Sequence, residues 1–202
     1  MKQEEKTEHT KERILAAALE EFGTYGYSAA TINAICSKHN IPKGLLYHNF
    51  TGKDDLYLAC IARCFNDIMS YLQNNSTNID LKKYLELRFL YLSQYPLRAK
   101  IFFEAILHPP LLLSKEISTV KADFDCFNRQ IYAELLSNMT LREGVTETEV
   151  MEYYELIQQA FHEHFSDTVR LNKNVQSFIS DYEGKLAKLL DFMLYGVIER
   201  RR

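Results

Sequence analysis

The residues of this 202-residue chain best suited to do chemistry lie between Thr31 and Lys53, in TINAICSKHNIPKGLLYHNFTGK. Lys43, Gly44, Leu45, Tyr47, His48 and Asn49 fall within seven successive positions, and Lys53 follows closely. A lysine can donate to guanine O6 and N7, and a leucine can touch a thymine methyl. Gly44 has no side chain, so its backbone can approach a phosphate or a base closely. The polar tips of Tyr47 and His48 can reach phosphate oxygens, which positions a protein on DNA without reading sequence. Lys53 and Thr31 each stand at the start of an expected helix, where free N–H groups favour a phosphate. Each residue also has a plainer reading. Tyr47 could pack between helices, and His48 and Lys53 could be solvated surface groups. Taken jointly, at this spacing, they describe recognition of double-stranded DNA.

Two short helices and a tight turn must hold these groups. Ile32, Ile35 and Cys36 give the segment from about Thr31 to His39 an apolar face, and Thr31 can cap its first turn. Asn40-Ile41-Pro42 interrupts the pattern. Asn tolerates a left-handed backbone, and Pro suits the first turn of a new helix. The second helix, about Lys43 to Asn49, turns Leu46 inward, and Ile32, Leu46 and Phe50 are assigned to the core. This is the layout of a helix-turn-helix whose second helix enters the major groove.

With Phe22, Gly23, Gly26 and Tyr27 ahead of it, the segment resembles the DNA-binding domain of TetR-family transcriptional regulators. The resemblance rests on Phe22, Gly26, Thr31, the run Lys43-Gly44-Leu45-Leu46-Tyr47-His48-Asn49-Phe50, and Lys53, and covers about the first quarter of the chain. Three positions depart from the family's usual pattern. A Gly is common where Asn40 stands, a Ser or Thr where Pro42 stands, and a His or Tyr where Asn49 stands. The first two changes keep the turn chemistry. The third leaves open the phosphate contact that position usually makes. The resemblance implies a homodimer through the last two helices and an inducer pocket in the body. It also implies ligand-driven shifts of helices 6 and 4, and, most commonly, repression relieved by ligand.

Composition agrees with an all-α fold. Gly (7) and Pro (4) are sparse, Trp is absent, and strand-like alternation is hard to find. The length supports a sizeable core in one or two domains. The expected architecture is a three-helix DNA-binding domain over 1–53 and a larger helical bundle over 54–202, about nine helices in all. Helix 4, about 53–73, connects them. No apolar run approaches the roughly 20 residues that a membrane span needs. The charged start MKQEEKTEHTKER lacks the apolar core of a signal peptide. A cytoplasmic protein is expected.

The net charge of −3 argues against non-specific coating of nucleic acid. Residues 10–53 carry five basic groups (Lys11, Arg13, Lys38, Lys43, Lys53) against Glu12, Glu20 and Glu21. A slightly basic domain on an acidic body suits a protein that presents one end to DNA.

Further helices are expected in series. Helix 1, about Thr10 to Tyr25, carries Ile14, Leu15, Ala18, Leu19 and Phe22, and Gly23 and Gly26 end it. Asp54 and Asp55 suit the first turn of helix 4. A polar loop covers Asn74 to Asn78, and Asp80 caps helix 5, which stops near Pro96. Helix 6 holds Ile101, Phe102, Ala105 and Ile106. Helix 7 carries Ile117, Val120, Phe124, Phe127, Ile131 and Leu135 and ends in a polar turn at Gly144. Thr146 and Glu149 form a capping box. The last two helices, about 146–166 and 175–199, are long and amphipathic. They could finish a monomer core or pair with their copies as a four-helix bundle.

Ten of 13 Tyr and 10 of 12 Phe lie after residue 53. A packed core is the default explanation. A ligand cavity lined by Phe89, Phe102, Ile106, Phe124 and Phe127 is the functional one, with a small apolar or aromatic ligand. Cys60 and Cys64 share a helix face, and with Cys36 and Cys126 they read as buried structural thiols. No cofactor or metal is expected. His162 and His164 are two apart, about 200° round a helix, and cannot share one metal. The chain has no Gly-rich phosphate loop and no nucleophile elbow. Two other classes compete with a DNA-binding regulator: a helical protein–protein adaptor without DNA affinity, and an enzyme. A terminal Glu199-Arg200-Arg201-Arg202 places cations at a helix C-terminus.

Overall fold

A computed structural model describes residues 2–75, 80–171 and 174–197, with side chains over 7–75, 80–166 and 174–196. The described residues form nine α-helices and one short 3-10 turn. The helices are α1 (Lys2–Ala29), α2 (Ile32–Lys38), α3 (Lys43–Asn49), α4 (Lys53–Asn74), α5 (Leu81–Gln94), α6 (Pro96–Leu107), α7 (Ser114–Ser137), α8 (Glu147–Leu171) and α9 (Val175–Val197). The 3-10 turn, Leu111–Leu113, is an element the sequence pattern does not announce. No described helix is long and apolar enough to cross a membrane.

Local chemistry explains the boundaries. Thr31 caps α2, its Oγ1 accepting from the Ala34 N–H at 3.1 Å. Asp80 caps α5 through the Lys83 N–H at 2.7 Å. Thr146 and Glu149 close a reciprocal capping box at the start of α8, each satisfying an N–H that the helix leaves unpaired. Asn40 takes the left-handed conformation, φ 50°. Pro42 differs from expectation by one place. It is the N-cap of α3, φ −60° and ψ 131°, and its carbonyl accepts from the Leu45 and Leu46 N–H groups. Helix α1 starts well before Thr10 and runs on to Ala29. Regular helical geometry nevertheless ends at Gly26, φ 75° and ψ 169°, as expected of that glycine, and the turn to Ala29 follows across the kink. Gly23 lies within the helix.

By packing, the chain divides into two units. The first comprises residues 1–66 with 95–121, and the second 67–94 with 122–202. The expected boundary near residue 53 follows chain order, whereas α4 and α7 each contribute to both units.

In the first unit, Ile14, Ala18 and Phe22 of α1, Ile35 of α2, Leu46 of α3 and Tyr57, Cys60 and Ile61 of α4 are buried. Helix α6 packs along α1. The approach is close at Gly23, where a Cβ would lie 2.7 Å from Leu97 Cβ and from the Leu97 carbonyl oxygen. Phe65 of α4 and Phe102 of α6 meet edge to face with ring centroids 5.4 Å apart. A two-point ion pair from Arg63 to Glu12 ties α4 to α1.

In the second unit, α9 packs on α5 and α8. Phe161, Phe165, Phe178 and Tyr182 cluster, with Phe165 and Tyr182 centroids 4.9 Å apart. Inside this apolar setting sits a polar group. Arg88 pairs with Glu183, and the Tyr84 hydroxyl donates to Asn128.

Of the cysteines, Cys36, Cys60 and Cys64 are buried as expected, but Cys126 is exposed. It stands two residues from buried Phe124, about 200° round α7, and so on the opposite face. Ile32, assigned to the core, is half-buried. Residues 76–79, within the expected polar loop, and the tail from Ile198 to Arg202 lie outside the described residues.

Candidate nucleic-acid interface

Helix α3 is short and its sides are sharply divided. Leu46 is fully buried and Phe50, just past its end, is 4% exposed. These two anchors point one face of α3 inward. Lys43, Gly44, Tyr47 and His48 are exposed on the other, and Leu45 and Asn49 are partly exposed at its edges. Tyr47 is 54% exposed, so packing between helices does not account for it. A Cβ built on Gly44 would meet nothing within 4 Å, so the first turn of α3 is open to an approaching backbone. The Asn49 side chain folds back, donating from Nδ2 to the Leu45 carbonyl at 2.8 Å. One of its two amide N–H donors is thereby used within α3.

The flanking elements present less. Thr31 is exposed, with its hydroxyl oxygen engaged as the α2 cap. Lys53 is held over the Tyr27 ring, 4.5 Å from its centroid, and donates to the Ser28 carbonyl at 3.4 Å. The first turn of α4 already has two carboxylates with partners of their own. Asp54 accepts from the Tyr27 hydroxyl at 2.5 Å, and Asp55 accepts from the Thr51 N–H at 2.8 Å.

Sequence reading passes over the residues that hold this surface in place. Lys38 donates to the buried Glu21 and lies over the Tyr25 ring, pinning α2 to α1. Glu104 of α6 accepts from the Tyr27 N–H and from the Tyr57 hydroxyl. The only sequence signal for this group is the Gly26-Tyr27 pair, because its partners are up to 77 residues apart. The Tyr27 hydroxyl is pushed up to about 12, first by its bond to Asp54. Burial and then Glu104 push Tyr57 far above its ordinary value.

Among the residues proposed to line a ligand cavity, Phe102 and Ile106 belong to the first unit, and Phe89, Phe124 and Phe127 to the second. Phe102 and Phe124 are buried, Ile106 and Phe127 are half-buried, and Phe89 is 40% exposed. Among the described residues, no three His, Cys, Asp or Glu side chains are grouped to hold a metal.

An all-α chain with an exposed, polar-tipped recognition helix anchored by two buried apolar residues defines a helix-turn-helix DNA-binding protein. Residues 14–60 match the profile of the bacterial regulatory proteins, tetR family. The negative transcriptional regulator IcaR of the biofilm operon of Staphylococcus epidermidis is 24% identical over 127 residues. That match covers 62% of this chain and 67% of IcaR. The transcriptional regulator RutR of Escherichia coli K12 is 24% identical over 120 residues, 57% of each chain. A tetR family transcription regulator from Shewanella sp. PV-4 shares the fold with a TM-score of 0.62 and 15% identity. It covers 95% of this chain and 99% of that one. Over residues 14–60 the chain carries the DNA-binding domain of the tetR family, and it is similar to transcriptional regulators over a longer span.

Proposed function

We propose that this protein is a repressor that binds a palindromic operator as a homodimer and is released by a small apolar or aromatic ligand. The observation that carries the DNA-binding part is the outward face of α3. Lys43 and Tyr47 project from a helix fixed by Leu46 and Phe50, with an open backbone at Gly44. Lys43 and Leu45 read bases, Tyr47 and His48 hold phosphates, and Thr31 and Lys53 support the register. Asn49 spends one amide N–H on the Leu45 carbonyl and joins them through its second N–H.

The homodimer reading is supported by the outer face of the last two helices. Tyr153 and Leu156 on α8, and Phe192 and Tyr195 on α9, are each more than 60% exposed. Each pair is three residues apart and so shares a face. Four large apolar side chains in water are what a self-complementary interface covers. A dimer would set two α3 helices on half-sites about one helical turn apart. Repression follows the negative regulation named for IcaR. Release requires the ligand to favour the conformation that does not fit the operator.

The test is fluorescence anisotropy on DNA flanking the protein's own gene, across a salt series. Saturable binding that Lys43→Ala and Tyr47→Ala both weaken is expected. Binding indifferent to both substitutions would refute the assignment of α3.

A further inference from the structure

We propose that Glu104 of α6 is a positioning residue that sets the α1–α4 junction and, through it, DNA affinity. The DNA part of this inference rests on the function proposed above. The argument begins at Gly26. Its φ of 75° and ψ of 169° break the regular helical path just before Tyr27. The Tyr27 N–H donates instead to the Glu104 carboxylate, 3.1 Å from Oε1 and 3.2 Å from Oε2. The fit is close, since a Cβ on Gly26 would lie 3.3 Å from Glu104 Oε1. The same carboxylate accepts from the Tyr57 hydroxyl of α4 at 2.8 Å. One side chain of α6 therefore holds the bend in α1 and the second turn of α4 together.

The consequence reaches α4's first turn through Tyr27. Its ring stands 4.8 Å from the Tyr57 ring. Its hydroxyl donates to Asp54, and Lys53 lies over its face. Asp54 and Lys53 open the helix that follows α3. With Glu104 replaced by an apolar side chain, the Tyr27 N–H and the Tyr57 hydroxyl lose their acceptor, and Tyr27 can move with the two groups it holds. A carboxylate is also a costly choice for a partly buried site unless its position serves a purpose.

The experiment compares wild type, Glu104→Leu and Glu104→Gln in the full-length protein. Hydrogen exchange is measured at the Tyr27 amide and across 53–57, thermal unfolding is recorded, and anisotropy is measured on DNA flanking the gene. Leucine is expected to expose the Tyr27 amide and to lower the melting temperature, because two donors lose their acceptor. It is also expected to weaken DNA binding about tenfold at a temperature where both proteins are fully folded. Glutamine, which keeps one acceptor oxygen, is expected to fall between. Unchanged exchange at Tyr27 in Glu104→Leu would overturn the proposal. So would lost protection with wild-type DNA affinity. Should Glu104→Leu fail to fold, Glu104→Gln against Tyr57→Phe makes the same comparison. If wild type binds no DNA, the DNA-binding reading fails by itself, and exchange at Tyr27 and 53–57 still decides whether Glu104 sets the junction.

Discussion

Arg88 on α5 and Glu183 on α9 meet through two hydrogen bonds, Nε to Oε2 at 3.1 Å and Nη2 to Oε1 at 2.8 Å. Both side chains are at least 95% buried. The pair joins two helices distant in sequence inside an otherwise apolar packing. Removing one partner strands the other charge without water. Glu183→Ala is expected to cost about 3–5 kcal/mol of stability, read from urea unfolding. The double replacement Arg88→Met with Glu183→Leu should recover most of that loss. A single substitution without effect would show that water reaches the pair.

Two glycines of α1 serve different ends, and alanine separates them. At Gly26 the backbone, φ 75° and ψ 169°, lies in a region essentially reserved for glycine, so Gly26→Ala should cost about 1–3 kcal/mol from conformation. At Gly23 the new methyl would meet the Leu97 backbone, and overpacking of this kind costs about 1–3 kcal/mol. Thermal melts of both variants check this. Leu97→Ala keeps the Cβ and carbonyl oxygen that the new methyl meets, so it should relieve neither variant.

Salt dependence distinguishes the two lysines proposed for DNA. Loss of a phosphate contact lowers the slope of log affinity against log salt by about one. Lys53→Ala is expected to do this on every sequence. Lys43→Ala should instead relax preference at one base position of the operator. Equal behaviour of the two variants would mean that Lys43 does not read a base.

The outer face of α8 and α9 makes a prediction about assembly. Phe192→Glu combined with Tyr153→Glu places charge where a second copy is proposed to sit. Truncating well-packed anchors typically weakens an interface by 2 kcal/mol or more, about thirtyfold. Sedimentation should show a dimer for wild type and a monomer for the double variant, with helix content unchanged. A variant that remains dimeric would place the interface elsewhere.

Acidity acts on Glu104 with a definite sign. Burial raises its carboxyl above the ordinary value, against the opposing effects of the Tyr57 hydroxyl, the Tyr27 N–H and the Lys53 charge. The folded protein therefore binds this proton more tightly than the unfolded chain does. Its contribution to stability is full below the unfolded value of 4.5 and falls as pH rises from there through the folded value. Glu104→Gln should flatten that part of the stability curve. Urea unfolding followed upward in pH from the ordinary carboxyl range would reveal it.

Much of this was legible in the chain because the signals are local. The caps at Thr31, Asp80 and Thr146, the left-handed Asn40 and the inward Leu46 each depend on neighbours within a turn or two. The exposed face of α3 follows from the same short spacing. Glu104 and the Arg88–Glu183 pair were not legible, because each acts across 47 to 95 residues and a lone acid on a helix looks like any surface charge. Cys126 shows a different failure. Its apolar character suggested the core stripe, but periodicity with Phe124 and Ile131 excludes it. The length of α1 beyond Thr10 was missed because its first turns carry charge without an apolar face.

Three of the four thiols are shut inside the first unit, while Cys126 stands in solvent on α7. A maleimide applied to the folded protein should therefore attach at one place only. A fluorophore or spin label can report from α7 during titration with DNA or with candidate small molecules, with no cysteine removed from the natural chain.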